Sequence, residues 1–594
     1  MMESIFPLYY TAFLLISMTI VLINEWVEAE VAIFGTLILL LLGNVITVNE
    51  AFAGFSNVGV LTIGLLFIVA GSLQTTGALN TITPFLLGDK PVYHRRRLLR
   101  ILFPVSTFSA FLNNTPIVAL FIPLVRSWTE KYNMSPSKFF IPISYAAILG
   151  GMCTLIGTST NLVIHGMLIE NGQRGFAFFE ISKIGFPVML IGLLYLIIAG
   201  YKLLPDRKEP LVELGETTRE FVCELKITKN YEHIGKSIEH AGLRHLKGLF
   251  LFQIERDGKI IAPAGPDEKL QLHDRLFFTG IPKTIVELQK TPGLQVIKDS
   301  VFDLKNYDAD VIKTYEAVVS PSSPLVGRNV RESNFRGKYG AVIIAIHRNG
   351  ERVRKKIGDI VLRPGDTLLL LGEQHFMKKW YHSNDFYLIS DTAWIYSKPV
   401  WHARLAGIVF VGMVAMAALQ VIPLIAAAGL AALLLILSRS ISPSDAKNMI
   451  EWRVLIIIAG AFGIAHAIQN SGLAEVISNG MMSLVQPLGI IGILSGIYVL
   501  TSVYTSFITN NAAAAFLFPV ALSTALNFNI DVRPMAMTVT IAAAASFATP
   551  IGYQTNLMVY SPGGYKFSDY LRVGIPLQTL IGIFAIALIY FIYF

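Results

Sequence analysis

The sequence predicts an all-α polytopic membrane protein with two inverted repeats of about five spans each, re-entrant hairpins, and inserted tandem α+β cytoplasmic domains. Three observations lead to this prediction: the composition, a polar break that occurs once in each half, and a charged central segment that is itself duplicated. Of the 594 residues, 53% are hydrophobic and only 15% are charged. This balance is too apolar for a soluble chain of such length and is typical of a multi-span membrane protein.

Apolar segments divide the first half, residues 1–205, into crossings. The predicted spans are residues 7–24, 31–42, 58–73, 139–168 (interrupted at 157–161) and 184–204. Residues 102–124 are long enough to cross once, but we interpret them as a hairpin that enters and leaves on the same side. Five crossings and a hairpin would place the two halves in opposite senses.

The hairpin carries a polar break. Asn113, Asn114 and Thr115 lie inside an apolar segment and are followed by Pro116. Proline cannot donate to a helix ladder and disfavours helical geometry at the residue before it, which predicts a gap between two short helices. Such a gap suits a small cation beside an anion. A helix–helix contact held by amides and hydroxyls explains this triplet alone equally well.

The second half, residues 399–594, repeats the break. Thr509, Asn510 and Asn511 lie 396 positions after the first triplet, and Thr505 then corresponds to Ser109. Two further blocks recur at an offset of 395: residues 72–77 with 467–472, and 157–162 with 552–557. The predicted spans are 403–418, 424–437, 454–468, 535–559 and 573–594, with a hairpin around 494–522. Paired broken segments of this kind indicate the central binding site of a transporter.

The charged segment between the halves is a duplication. Residues 234–238, 254–258 and 274–280 match residues 326–330, 346–350 and 366–372, each 92 positions later. Short β-branched runs separated by Asp-Gly, Asn-Gly and Pro-Gly-Asp turns predict two small α+β domains, at 213–297 and 303–388. Neither contains an apolar stretch long enough to span a bilayer, so both should lie in water.

Basic residues predict the orientation. The segments 95–100, 126–138, 439–453 and 566–572 share the side of the insert, and few basic residues, Arg174, Lys183 and Arg533, lie on the other. By the positive-inside rule the insert is cytoplasmic and both termini are outside, and we expect a bacterial inner membrane. The net charge of +8 therefore does not indicate nucleic-acid binding. Cys153 and Cys223 indicate neither a disulfide framework nor a metal site.

The two triplets and the repeated blocks resemble the divalent anion:sodium symporter family of the ion-transporter superfamily. The hallmark of that family is a Ser-Asn-Thr triplet at each of two hairpin tips, and this chain keeps the central asparagine in both, as Asn114 and Asn510. The insert resembles paired TrkA C-terminal (RCK-C) domains, which are regulatory ligand-binding modules. The resemblance implies a sodium-coupled symporter of a divalent anion and no enzymatic activity. Sodium would be a transported ion and not a prosthetic group, and we expect a homodimer.

The resemblance also implies the binding residues. One sodium ion would lie near Ser109, Asn113, Asn114 and the backbone at Gly157, and a second near Thr505, Asn510 and the backbone at Ala548. The anion would contact Asn114, Thr115, Thr158, Asn510, Asn511 and Thr549. Because two amides adjoin where the family has a smaller serine, sulfate becomes at least as good a candidate as a C4 dicarboxylate.

Two other functions remain open, a cation/proton antiporter of the same superfamily and a ligand-gated channel. An antiporter would need ionisable residues deep in the bundle. His466 is a candidate, although a hydrogen bond to a neighbouring helix is the more common role, and we expect His165 and Glu170 to be hydrated near the outer end of their span. In the insert, basic residues suggest a small anionic ligand, and a solvated basic face is an equally good interpretation; they are Arg328, Arg331, Arg348, Arg352 and Arg354.

Overall fold

A computed structural model gives the architecture of most of the chain. The described residues are mostly helical, with several apolar helices, as a polytopic membrane protein requires. They are 2–24, 26–78, 94–132, 134–207, 222–243, 249–257, 259–261, 264–265, 267–280, 291–296, 312–320, 323–348, 351–353, 355, 357–373, 376–380, 383, 385–388, 400–485, 488–550 and 552–594.

The first half contains nine helices among its described residues. They are α1 (Met2–Ile23), α2 (Ala29–Leu42), α3 (Val48–Phe52), α4 (Val58–Thr75), α5 (His94–Ser109), α6 (Asn114–Lys131), α7 (Phe140–Gly151), α8 (Ser159–Glu170) and α9 (Ser182–Leu203). Helix α9 contains one π-helical turn, Leu196–Gly200.

The insert forms two five-stranded antiparallel sheets. The strands are β1 (Val222–Ile227), β2 (Leu249–Arg256), β3 (Lys259–Ile261), β4 (Arg275–Gly280), β5 (Leu294–Val296), β6 (Ile312–Val319), β7 (Ala341–Arg348), β8 (Glu351–Arg352), β9 (Thr367–Glu373) and β10 (Phe386–Leu388), with two short helices, α10 (Phe335–Tyr339) and α11 (Phe376–Trp380).

The second half resumes at residue 400. Its described helices are α12 (Val400–Ala418), α13 (Leu424–Leu437), α14 (Pro443–Met449), α15 (Trp452–Asn470), α16 (Leu473–Val485), α17 (Gly489–Thr505), α18 (Asn510–Asn527), α19 (Val532–Ala544), α20 (Gln554–Tyr560) and α21 (Phe567–Tyr593).

Fewer helices than predicted are long enough to cross a bilayer alone. By length and composition, five segments of the described chain qualify: Val48–Thr75, Ser182–Leu203, Trp401–Ala418, Trp452–Asn470 and Phe567–Tyr593. The difference has a physical cause, because some predicted crossings are broken in the middle. Residues 139–168 form α7 and α8, and residues 535–559 fall in α19 and α20.

The two sheets have the same topology. Their strand orders are β3-β2-β4-β1-β5 and, read in the same sense, β8-β7-β9-β6-β10. Each has a register shift at the corresponding place, between Leu251 and Gln253 and between Ile343 and Ala345. These correspondences follow the 92-residue repeat. The assignment of 213–297 and 303–388 as two regulatory domains stays a prediction, as does the inverted relation of the membrane halves.

The second sheet packs against membrane helices. Arg126 of α6 forms an ion pair with Glu316 of β6, and the Ser561 hydroxyl donates to the His347 carbonyl at 3.4 Å. At Gly365, where φ is +81°, a Cβ atom would lie 2.7 Å from Leu557. Glycine therefore permits a close approach there, whereas the corresponding position of the first sheet is a histidine, His273.

Two ion pairs join charged segments that are predicted to lie on the same side of the membrane. Arg453 lies 3.0 Å from both Glu28 and Glu30, which places the acidic link between α1 and α2 beside a predicted cytoplasmic basic segment. Arg533 instead pairs with Glu180 at 2.6 Å, among the residues predicted to lie outside. The sidedness relative to a membrane stays a prediction.

Candidate functional site

The first hairpin tip is a gap between α5 and α6. Helix α5 ends at Ser109 and α6 begins at Asn114, and the Ser109 hydroxyl donates to the Asn114 side-chain oxygen at 2.7 Å. Pro116 lies in the first turn of α6, where it removes no helical hydrogen bond. The break therefore falls before Asn114, and Thr115 is helical, contrary to the expectation that proline would exclude the residue before it.

The second tip has the same construction at the repeat-related positions. Helix α17 ends at Thr505 and α18 begins at Asn510, with Thr509 as the N-cap residue. Helices α6 and α18 each have 18 residues. The Thr505 hydroxyl donates to the carbonyl of Ala543 at 3.0 Å, which ties the end of α17 to α19.

Each tip contacts the broken helix of the other half. The Asn114 amide donates to the hydroxyl of Tyr553, and Thr115 donates to Gln554 at 3.1 Å. In the opposite direction, Asn511 accepts hydrogen bonds from Ser159 and Thr160, both at 3.1 Å. The Thr158 hydroxyl lies 3.4 Å from the Tyr553 hydroxyl, so the two triplets are joined through the starts of α8 and α20.

This arrangement brings several helix N-termini together. Helices α6, α8 and α18, of 18, 12 and 18 residues, begin at Asn114, Ser159 and Asn510, and the short α20 begins at Gln554. The N-terminus of a helix carries a partial positive charge and free N–H groups, which favour an anion. The side chains named at the tips are amides, hydroxyls and a phenol, so the site can bind an anion without a formally charged group.

Backbone oxygens gather behind the first tip. Thr154 donates to the carbonyl of Ala110, and the Asn161 amide donates to the carbonyls of Gly151 and Thr154, at 3.1 and 2.7 Å. A Cβ atom on Gly157 would lie 2.6 Å from the Gly151 oxygen, so only glycine fits. The side-chain oxygen of Asn161 is buried and has no hydrogen-bond partner among the described residues. An unsatisfied oxygen beside carbonyl oxygens fits a hard cation such as sodium.

A corresponding set lies behind the second tip. Thr549 donates to the carbonyl of Ser506 at 2.9 Å, and the Asn556 amide donates to the carbonyls of Ser546 and Thr549, at 3.0 and 3.1 Å. These bonds match those of the first half at offsets of 395 and 396. One difference is that the Asn556 side-chain oxygen accepts a hydrogen bond from Ser144 at 2.7 Å.

The predicted site residues lie at or directly behind these two tips, although several of them make contacts other than the expected ones. Asn113 lines a cavity of about 30 Å³ together with apolar residues of α4 and with Ser159 at the start of α8. Among the described residues no hydrogen bond joins its side chain to Ser109 or Asn114. The N–H of Ala548 donates to Gln578 at 3.0 Å. The two predicted threonines, Thr158 and Thr549, are not equivalent in the repeat. Thr549 corresponds to Thr154 and its hydroxyl binds the hairpin backbone at Ser506, whereas Thr158 corresponds to Tyr553.

Tyr553, Gln554 and Asn161 are site residues that the triplet pattern missed. The repeat offset of 395 was the available signal, because it pairs Thr158 with Tyr553 and Asn161 with Asn556. Tyr553 links the first tip to the start of α8, since its hydroxyl accepts from Asn114 and lies 3.4 Å from the hydroxyl of Thr158.

The ionisable residues considered for proton transfer lie elsewhere. His466 of α15 lies 2.9 Å from Glu170 at the end of α8, which is the interhelical hydrogen bond expected of a lone span histidine. Glu170 remains partly exposed, with 19% of its side chain accessible, and its carboxylate also binds His466. The Nδ1 atom of His165 is buried and has no hydrogen-bond partner among the described residues.

Several arginines of the insert form ion pairs with aspartates. Arg348 donates two hydrogen bonds to Asp366, at 2.7 and 2.8 Å, and the equivalent Arg256 binds Asp274 in the first sheet at 2.9 Å. Arg331 pairs with Asp359 at 3.0 Å. Arg354 lies outside the described residues, as does the side chain of Arg352. Arg348 thus serves the sheet, and the anionic-ligand prediction depends on the remaining basic residues.

Comparison with known proteins identifies relatives over nearly the whole length. Residues 18–542 match the family described as "CitMHS: Citrate transporter". A putative sulfur deprivation response regulator of Chlamydomonas reinhardtii is 35% identical over 94% of this chain and 97% of its own length. Sodium/sulfate cotransporter 1 of the same organism is 26% identical over 95% of this chain and 88% of its own. The solved RCK_C domain dimer of S. agalactiae BusR in complex with c-di-AMP covers 12% of this chain at 27% identity, with a TM-score of 0.12.

Proposed function

Since the chain belongs to the CitMHS citrate transporter family and is an integral membrane transporter, not an enzyme, we propose that it is a sodium-coupled symporter of a compact divalent anion. Sulfate is the first candidate, and a C4 dicarboxylate or citrate is the competing class. The relatives named as sodium/sulfate cotransporters support both the anion and the ion.

The observation that carries the proposal is the convergence of the two hairpin tips at the starts of α8 and α20. It offers N–H groups, amides and hydroxyls to one small volume, which suits an anion that only accepts hydrogen bonds, such as sulfate at neutral pH. The cost of placing a dianion inside a membrane protein is high unless cations accompany it. The oxygen sets described behind the two tips supply candidate positions for those cations.

The antiporter alternative is less well supported. Its proton carrier would need to lie at the tips, but the tip side chains described above do not ionise near neutral pH, and the His466–Glu170 pair lies near the ends of α15 and α8.

Direct binding tests the proposal. Binding of labelled sulfate to the purified transporter is measured in sodium chloride and in choline chloride, with unlabelled sulfate, succinate or citrate as competitors. We expect sodium-dependent binding that sulfate displaces at least about tenfold more effectively than succinate or citrate. Equal binding in choline would refute sodium coupling, and stronger displacement by citrate or succinate would refute the substrate.

The insert completes the proposal as a cytoplasmic regulator that binds a small anionic ligand and mediates a homodimer. The support is the contact of the second sheet with α6 and with the segment that follows α20. These helices begin at Asn114 and Gln554, so one end of each lies at the anion site and the other near the sheet. With the insert in the cytoplasm, both termini lie outside, in the orientation of a bacterial inner-membrane protein.

A further inference from the structure

Tyr553 breaks the symmetry of the site. The preceding residues, Gly157 and Gly552, are identical, yet the position after them is threonine in the first half and tyrosine in the second. A site that followed the repeat would have a small hydroxyl side chain on both sides. The tyrosine adds an aromatic ring and moves its hydroxyl into the space between the tips.

The hydrogen bonds of this hydroxyl leave its own proton available. Tyr553 is buried, with 8% of its surface exposed. Its oxygen accepts from Asn114, and the Thr158 hydroxyl lies 3.4 Å away. At that distance Thr158 is a weak acceptor. A phenol is a more acidic donor than an aliphatic hydroxyl, so its O–H can bind an anion strongly.

We propose that Tyr553 determines the substrate range: its hydroxyl donates a hydrogen bond to the anion, and its ring limits the length of the anion that fits. This inference rests on the proposed function and names the residue that favours a tetrahedral dianion over a longer di- or tricarboxylate. When the anion binds, the Asn114 amide that now donates to the phenol oxygen would turn toward the anion, and the phenol proton would join it.

Two substitutions separate the roles of the hydroxyl and the ring. Tyr553→Phe removes the O–H and keeps the ring. Tyr553→Thr keeps a hydroxyl, removes the ring and makes position 553 the same as the repeat-related Thr158. Tyr498→Phe is the matched control, because the buried Tyr498 hydroxyl has no hydrogen-bond partner among the described residues.

The measurement is sodium-dependent binding of labelled sulfate, with succinate and citrate as competitors, on variants that retain the elution profile of the native transporter. We expect Tyr553→Phe to weaken sulfate binding by about tenfold, because one hydrogen bond to a charged group is lost. The preference for sulfate over succinate should stay as in the native transporter. We expect Tyr553→Thr to increase displacement by succinate or citrate by about tenfold or more. Tyr498→Phe should change neither quantity.

The possible outcomes distinguish failure of the Tyr553 proposal from failure of the proposed function. If the native transporter binds sulfate with sodium but both Tyr553 variants keep its affinity and its selectivity, the role of Tyr553 is refuted and the proposed function stands. If the native transporter binds no sulfate, both are refuted. If one variant does not fold, the other still decides its own half of the proposal.

Discussion

At the scale of single residues, Asn114 and Asn510 are each proposed to bind both the anion and a cation. Asn114 accepts from Ser109 and donates toward the centre of the site, and Asn510 occupies the equivalent position. We expect Asn114→Ala and Asn510→Ala each to reduce coupled sulfate uptake to background in a folded protein, because each removes an anion donor and a candidate cation ligand. Asn527→Ala is the matched control, since Asn527 is an exposed asparagine at the other end of α18. Normal uptake by either tip variant would refute the assigned site.

Two hydroxyls should act on sodium more than on the anion. Ser109 and Thr505 end the first arm of each hairpin, about one turn before the triplet. We expect Ser109→Ala and Thr505→Ala to raise the sodium concentration for half-maximal uptake severalfold while changing anion affinity at saturating sodium much less. Ser106→Ala and Thr501→Ala are controls from the same helices, whose hydroxyls bond to carbonyls of their own helix at 2.8 and 2.7 Å. An unchanged sodium dependence in both test variants would favour proton coupling.

The sequence predicted the residues of the tips better than their neighbours. A polar triplet before a proline in an apolar segment is a local signal that identifies Asn114, and the repeat offset of 396 residues then identifies Asn510. Tyr553 could not be identified in that way, because its role depends on a contact with Asn114 across 439 residues of sequence. Asn113 shows that membership of the triplet does not fix a contact, because it lines a mostly apolar cavity between α4 and the start of α8.

At the scale of elements, the breaks in the helices were predictable and the docking of the second sheet was not. Gly157 and the Asn-Thr triplets mark breaks by their own chemistry. The ion pair between Arg126 and Glu316 joins residues 190 positions apart, and no local pattern announces it. The two side chains are only 10% and 5% exposed, so both lose most of their hydration in the contact.

We expect Arg126→Ala to destabilise the transporter strongly. Removing one partner of a buried ion pair costs about 3–5 kcal/mol, because the other charge remains desolvated. Arg126→Met combined with Glu316→Leu should recover most of that loss. Thermal unfolding in detergent measures both changes. The control is Arg331→Ala, whose pair with Asp359 is 65% and 57% exposed and should contribute less than about 1 kcal/mol. A loss no greater than that of the control would show that the docked contact contributes little.

At the scale of the whole molecule, we predict that a duplicated membrane unit is combined with a duplicated regulatory insert. Two sets of contacts connect the insert to helices that begin at the site: those between α6 and β6, and those between residues 557–561 and the second sheet. Regulation requires that a ligand of the insert favour one transport state, with a coupling free energy of about 1–3 kcal/mol.

We expect replacement of residues 213–388 by a Gly/Ser linker to preserve sodium-dependent sulfate binding and to remove the response of transport to cytoplasmic metabolites. The physical reason is that the described site residues belong to the membrane helices and their connections. Binding and uptake with and without a metabolite extract on the insert side measure this. A folded membrane part that no longer binds sulfate would show that the insert belongs to the site.

Uptake of labelled sulfate into proteoliposomes under an imposed ion gradient tests sodium-coupled sulfate transport directly. We expect accumulation above the external concentration with an inward sodium gradient, none with an equal potassium gradient, and none in Asn510→Ala under either. Accumulation that follows a pH gradient without sodium, or no accumulation in the native transporter under a sodium gradient, would contradict this prediction.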